Sequence, residues 1–348
     1  MKHLSEKLVF RRLLFFALLF SLFPAGGGCL PSPPEAAHGS RQITVYGFSI
    51  MKEALEKEIY PAFAAKWKRE RGEDVQFVSS FAGSETVTNQ ILQGAPAQLA
   101  ILSIERDVER LSSGGAVTQN WKAAPHNSIV NKTPFIILVR RGNPLGIRDF
   151  PDLAKPGVKI IHPDPVSSGG AQWSILSIYG SELKKTERES GAMDTARAVE
   201  TLRAIWKNVI STPESARAAR TQFETGYGDV LITYELEGLL MKQAGAAVEV
   251  VVPQSTIFSE HPAVVIDRNV RAEDRAVVQG FLSYLWSDEA QQAFVKYHFR
   301  SVTNESFNDA NAEFARIEIP FTVELFGGWT RAYPEIIESI FRDKVQKK

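Results

Sequence analysis

Three short stretches carry residue types that could hold or transform a small anion. The longest is His162-Pro163-Asp164-Pro165-Val166-Ser167-Ser168-Gly169-Gly170-Ala171-Gln172-Trp173. Serine is a favoured N-cap, and glycines let main chain approach a ligand with no Cβ in the way. The first N–H groups of a helix have no partner within it and lie at the positive end of its dipole. Ser168-Gly169-Gly170 opening a helix therefore makes an anion site that needs no Lys or Arg, although the same tripeptide is also ordinary helix-opening turn chemistry. A second small-residue loop, Ser79-Ser80-Phe81-Ala82-Gly83-Ser84, and a third around Ser215-Ala216-Arg217 have the same character. Three donor clusters without a base or a metal describe binding, not turnover.

Catalytic signatures are thin. The histidines, His3, His38, His126, His162, His261 and His298, are scattered, and no His-Glu-x-x-His spacing occurs. With a single cysteine a zinc site is not expected, and neither a phosphate-binding Walker loop nor a G-x-S-x-G elbow is present. No cofactor and no metal are called for. His162 is the one histidine beside a donor loop. As a base for Ser84 or Ser168 it would suit a secreted serine hydrolase, and as a loop residue it needs no role.

The elements that must position these loops follow from periodicity. Val158-Lys159-Ile160-Ile161 reads as a strand ahead of the central loop, and Trp173, Leu176 and Tyr179 recur at helical spacing after it. Strands are also expected at 43–46, 75–78 and 99–102, each followed by a helix. The first of these helices has Leu55, Ile59, Phe63 and Trp67 four apart, with Pro61 expected to kink or split it. Thr133 to Arg140 is apolar throughout and reads as a central strand or a crossover between domains. A further strand spans Gly228 to Glu235, late strands are expected at 248–252 and 263–266, a long helical region at 276–299, and a closing amphipathic helix at 331–345. Strand, small polar loop and helix in repeated order indicate an α/β fold with a mostly parallel sheet, and ligands of such sheets gather at the carboxyl ends of the strands.

Composition narrows the partner. The chain has 348 residues with 40 basic and 40 acidic side chains, and the part beyond residue 28 keeps 36 and 39. A nucleic-acid binder would show a basic excess, so no nucleic-acid partner is expected. Any anion must be held by local dipoles, not by net charge. The N-terminus reads as an export signal: Lys2, Lys7, Arg11 and Arg12 precede an apolar run from Leu13 to Phe23 that is short for a membrane span. Pro24-Ala25-Gly26-Gly27-Gly28-Cys29 then resembles a bacterial lipobox, with Gly26 where that pattern prefers Leu, so lipidation at Cys29 is expected. Residues 30–41, rich in proline, read as a tether.

At larger scale the chain resembles the periplasmic sulfate/thiosulfate-binding proteins of ABC importers, type II solute-binding proteins, from about Ile43 to the end. The resemblance is carried by Asn127-Ser128, Leu138-Val139-Arg140-Arg141-Gly142-Asn143-Pro144, Pro156-Gly157-Val158, Ser167 to Trp173, Gly228-Asp229-Val230-Leu231-Ile232 and Phe326-Gly327-Gly328-Trp329-Thr330. It implies a two-domain periplasmic-binding-protein-like type II fold, with a central mixed, mostly parallel sheet in each lobe and a ligand cleft between lobes. The expected division is a signal peptide at 1–28, a tether at 29–41, one lobe from 42–130 plus 236–300, a second from 131–235, and a segment at 301–348 packing across both.

By position, Ser84 would donate its hydroxyl to a dehydrated oxyanion. Ser168, Gly169 and Gly170 would donate from the helix start, Ser215 and Ile50 would offer backbone N–H groups, and Tyr234 stands where the family has an indole donor. Ile50 replaces an acidic residue, and Ala82-Gly83-Ser84-Glu85 replaces Gly-Gly-Ser-Gly. Glu85 is expected to point outward as a first-turn acid. The implied partners are sulfate, thiosulfate or another oxyanion such as phosphate or molybdate, and an inner-membrane ABC permease. The protein is then a monomer at the cell envelope or in the periplasm, held to the membrane by the lipid anchor. An envelope sensor or adhesion lipoprotein that keeps the fold but has lost the ligand is a further reading that Ile50, Tyr234 and Glu85 leave open.

Overall fold

The computed structural model describes residues 40–346. The expected leader, most of the tether and Cys29 lie outside them. Strands β1 (Ser40–Phe48), β2 (Asp74–Ala82) and β3 (Leu99–Ile101) run parallel in the order β2-β1-β3. Strands β5 (Ile160–Ile161), β6 (Val209–Ser211) and β7 (Val230–Tyr234) form a second parallel set in the order β7-β5-β6. Two long strands join them: β4 (Ile129–Arg140) and β9 (Ser255–Val265). β9 pairs antiparallel with β3 at one end and with β4 along its middle, and β4 pairs antiparallel with β7 farther on. Pro134 sits where β4 leaves β9 and takes up β7. Proline has no N–H to give to a ladder, and its position at the changeover wastes none.

The buried apolar run Phe135 to Val139 explains why β4 is central: both faces of a strand covered on both sides must be apolar. β9 is longer than the stretch expected at 263–266. Its polar residues concealed it, yet Ser255, Thr256, Ser259 and His261 are buried and bonded. Thr256 Oγ1 donates to the Phe135 carbonyl at 2.8 Å, Ser259 Oγ to the Thr133 carbonyl at 2.8 Å, and His261 Nδ1 lies 2.6 Å from Asn131 Oδ1.

Each parallel strand feeds a helix. α1 (Tyr60–Arg71) follows β1 after a short turn at Ser49–Met51 and a wide-pitched helical segment at Leu55–Ile59. The expected split at Pro61 is not found: helical residues run without a gap from Lys52 to Arg71, with right-handed backbone at Ile59 and Tyr60, and the wider turn at Leu55–Ile59 lies where Pro61 leaves a carbonyl without its N–H. The stripe Leu55, Ile59, Phe63 and Trp67 is buried, and Phe63 packs edge-on against Phe77 and Phe281. α2 (Ser84–Leu92), α3 (Glu105–Ser113), α4 (Gly169–Ser190), α5 (Thr195–Trp206), α6 (Ala216–Glu224) and α7 (Glu235–Gln243) complete the set. α7 and β8 (Val248–Val251) pack on and pair with β4 in the second half of the sheet, across the expected boundary at residue 236.

The region 276–299 is two helices, α8 (Arg275–Tyr284) and α9 (Asp288–Lys296), because Ser287 caps the second by accepting from Ala290 N at 3.3 Å. After β10 (Ile319–Phe321), the C-terminal segment lies against α4 and α5. Trp329 meets Trp173 edge-on at 4.6 Å between centroids, and Phe341 meets Trp206 at 4.6 Å. Tyr333, farther along, stacks under the Arg106 guanidinium of α3 at 3.4 Å.

Candidate functional site

The six strand-to-helix junctions, three from each half of the sheet, meet at one place. Gly83 ends the β2 loop so close to the opposite half that an added Cβ would stand 2.2 Å from the Ser167 carbonyl oxygen and 2.8 Å from that of Glu214. Its φ of −61° is ordinary, so glycine is required for close approach, not for backbone conformation. Ser167 Oγ in turn donates to the Glu214 carbonyl at 2.7 Å, which ties the α4 and α6 loops together. On the far side, Ser49 Oγ, in the turn that carries Ile50, accepts from Arg217 N at the start of α6 at 3.4 Å.

Ser84, at the start of α2, is 1 % exposed. Its Oγ accepts from Ser103 N at 2.9 Å and donates to Asp107 Oδ2 at 2.5 Å. Ser103 follows β3 and reaches the other half of the sheet twice. Its Oγ lies 2.8 Å from the Tyr234 hydroxyl, and its carbonyl accepts from Trp173 Nε1 at 2.7 Å. Gly169 packs on the Ser103 side chain and Gly170 on the Tyr234 ring, where a Cβ on either would come within 2.8 Å. Ser84, Gly169, Gly170 and Tyr234 are thus linked through Ser103.

Ser103 has no place among the residues singled out in the sequence. It sits, however, in the same signature as the others, a small polar residue between an apolar strand and a helix.

The remaining expected residues fall as follows. Ser168 is buried as the N-cap of α4, but its own N–H donates to the Asp164 carbonyl at 2.9 Å, so the free amides at that helix start are those of Gly169 and Gly170. Ser215 caps α6 by accepting from Ala218 N at 3.1 Å. Ile50 is fully buried beside Ser49. Tyr234 keeps its proton, since burial drives its phenol above the ordinary range.

Glu85 does not point outward. It is buried, and its carboxylate binds Arg106 Nη1 at 2.6 Å, Arg110 Nη1, and Gln172 Nε2 of α4 at 3.1 Å. The physical reason is local: α3 carries two arginines one turn apart facing the start of α2, and their charge compensates the buried acid. Arg217 is likewise taken by Glu53 and Glu237. Arginines stand near the junctions, but each is already paired.

Asp107 is fully buried, and its Oδ1 makes no hydrogen bond. Burial first, then the Glu85 charge, push its carboxyl up to about 8, against the opposing Ser84 bond and the more distant Arg110 and Arg106. His162 does not face Ser84 or Ser168 through a hydrogen bond. Its Nδ1 lies 2.6 Å from the Pro163 carbonyl and its Nε2 bonds Ser174 Oγ. Burial lowers it to about 4, so it is a neutral core histidine at pH 7. Among the described residues no cluster of three or more His, Cys, Asp or Glu is placed to hold a metal ion, and no helix is long and apolar enough to cross a membrane.

Comparison with known proteins agrees with this architecture. Residues 43–300 match the family model described as bacterial extracellular solute-binding protein. The chain is 33% identical over 310 residues to a sulfate-binding protein of Synechococcus elongatus, covering 88% of this chain and 87% of that one. It is 31% identical over 322 residues to a thiosulfate-binding protein of Pseudomonas aeruginosa, covering 91% and 93%. Among solved structures, the sulfate-binding protein SubI from Mycobacterium tuberculosis superposes with a TM-score of 0.76 at 30% identity, over 85% of this chain and 99% of that one.

Proposed function

We propose that this chain, which belongs to the bacterial extracellular solute-binding protein family, captures sulfate or thiosulfate between the two halves of its sheet and delivers it to an ABC permease. The observation that carries the reading is the meeting of six strand-to-helix junctions around main-chain and hydroxyl donors, with every nearby arginine already paired. A dianion there is held by the Gly169 and Gly170 amides at the head of a 22-residue helix, and by the hydroxyls of Ser84, Ser103 and Tyr234. The relatives named for sulfate and thiosulfate support the same ligand class.

The two parallel sets act as lobes, with β4 and β9 as the connections between them and the C-terminal segment lying across both. Opening separates the Ser103–Tyr234 pair, and closure on the anion exchanges that bond for two donated to the ligand. Binding therefore favours the closed form through contacts that only the closed form completes. Outside the described residues, Cys29 carries the lipid anchor after removal of the leader, and the protein works as a monomer at the envelope. Intact-mass measurement of the membrane-extracted protein checks the anchor.

The test of the ligand is thermal stabilisation by sulfate, thiosulfate, molybdate and phosphate. At 100 times Kd a true ligand adds about 2.7 kcal/mol. Stabilisation by sulfate or thiosulfate is expected. The reading fails if none of the four raises the unfolding temperature.

A further inference from the structure

We propose that Asp107 sets the proton state of the anion this site accepts, by deciding whether Ser84 faces the ligand as a donor or as an acceptor. The inference rests on the oxyanion-binding reading and adds a residue that touches no ligand itself. A serine hydroxyl has one hydrogen and two lone pairs. At Ser84 one lone pair is filled by Ser103 N–H, and the Asp107 carboxyl stands 2.5 Å from the same oxygen.

When Asp107 is ionised it takes the Ser84 hydrogen, and Ser84 has only a lone pair left to show. When Asp107 is protonated its own O–H donates to Ser84, both lone pairs are used, and the hydroxyl hydrogen is free for the ligand. A fully ionised anion such as sulfate offers only acceptors and needs the second state. A protonated oxyanion such as hydrogen phosphate can donate into the first.

The surroundings make both states reachable. Asp107 has one oxygen without a hydrogen bond, which is costly for a buried carboxylate and cheaper for a neutral acid. The cation that could hold it ionised, Arg110 Nη1, is 3.7 Å from that oxygen and bound to Glu85. Arg106, on the same helix, is bound to Glu85 and stacked on Tyr333. The Glu85 charge, from α2, opposes ionisation, and burial acts in the same direction. Across the junction the nearest polar groups are neutral: Gln172 on Glu85, and Tyr234 through Ser103. A sulfate arriving beside the pair adds further negative charge and draws one proton from solvent onto Asp107.

The experiment is calorimetric titration of the full-length protein with sulfate from pH 6 to pH 9.5, at constant ionic strength, in paired buffers of different ionisation enthalpy. Expected is an affinity that falls with rising pH, approaching tenfold per unit at the alkaline end, with proton uptake nearing one per sulfate bound. In Asp107→Asn the amide donates permanently to Ser84 Oγ, so Kd for sulfate no longer varies with pH and no proton is taken up. In Ser84→Ala the affinity is lower and the pH dependence is reduced.

Wild-type binding that is flat across the range, without proton uptake, overturns the assignment and leaves the sulfate reading intact. So does a pH dependence that survives in Asp107→Asn, or survives unreduced in Ser84→Ala should the first variant not fold. Absence of binding at every pH overturns both readings together.

Discussion

At the scale of single residues, the site depends on how closely main chain from one half approaches main chain from the other. Gly83 is the clearest case. Gly83→Ala places a methyl where only 2.2 Å separates it from the Ser167 carbonyl oxygen. Overpacking of this kind typically costs about 1–3 kcal/mol, and here it falls on the closed form. Sulfate affinity is expected to drop about tenfold or more, since each 1.4 kcal/mol is a factor of ten. The unfolding temperature without ligand should change little. Titration beside a melting curve separates the two, and an unchanged Kd would show that the halves do not need this approach.

Buried histidines supply a second prediction at the same scale. Burial pulls His162 down to about 4 and His261 to about 3. A base whose folded value lies below its unfolded value near 6.5 contributes stability that is complete above about pH 6.5 and is lost as pH falls toward the folded value. Denaturant midpoints should therefore decline between pH 6.5 and pH 4. The decline should be shallower in His162→Gln, which keeps a polar side chain beside Ser174. Parallel curves for the two proteins would count against the neutral core histidine.

Elements are stabilised by features of very different visibility. The stripe Leu55, Ile59, Phe63 and Trp67 reads directly as a buried helical face, whereas the wider turn at Leu55–Ile59 that carries the helix unbroken past Pro61 does not show in the periodicity. The break between α8 and α9 is harder to see. Apolar periodicity continues through it, and only the Ser287 cap marks the new start. Ser287→Ala removes the acceptor for Ala290 N and should cost about 1 kcal/mol in chemical unfolding. A cost below about 0.3 kcal/mol would mean that packing alone places the break. β9 was concealed for the opposite reason. Its serines, threonine and histidine look like loop chemistry until β4 supplies the partners that satisfy them.

For the whole molecule, the decisive contacts are those that join the two halves of the sheet. Trp173 Nε1, from the second half, donates to the Ser103 carbonyl of the first at 2.7 Å, and the same indole packs on Trp329 of the C-terminal segment. Trp173→Phe keeps most of the ring but leaves that carbonyl without the indole donor. Loss of a buried hydrogen bond of this sort costs about 1–3 kcal/mol. Because it is made only when the halves meet, sulfate affinity should fall by about an order of magnitude. Small-angle scattering at saturating sulfate should still report a compact particle. An unaltered affinity would remove this bond from the closure step.

The sequence alone was enough for the repeating order of strand, small polar loop and helix, for the buried stripes, and for the place of Ser84, Ser168, Gly169, Gly170 and Ser215 at helix starts. These are local properties: periodicity, capping preference and the absence of a Cβ act within a few residues of one another. The tertiary structure decided what those residues are bonded to. It put Ser103 between Ser84 and Tyr234, took the Ser168 amide for Asp164, and turned Glu85 inward onto two arginines of a neighbouring helix. It also buried Asp107 against Ser84, where burial and the Glu85 charge push its carboxyl up to about 8. Apart from the local Ser168–Asp164 turn, each outcome depends on residues 19 to 131 positions apart in sequence meeting at roughly 3 Å, and no local pattern encodes such a meeting.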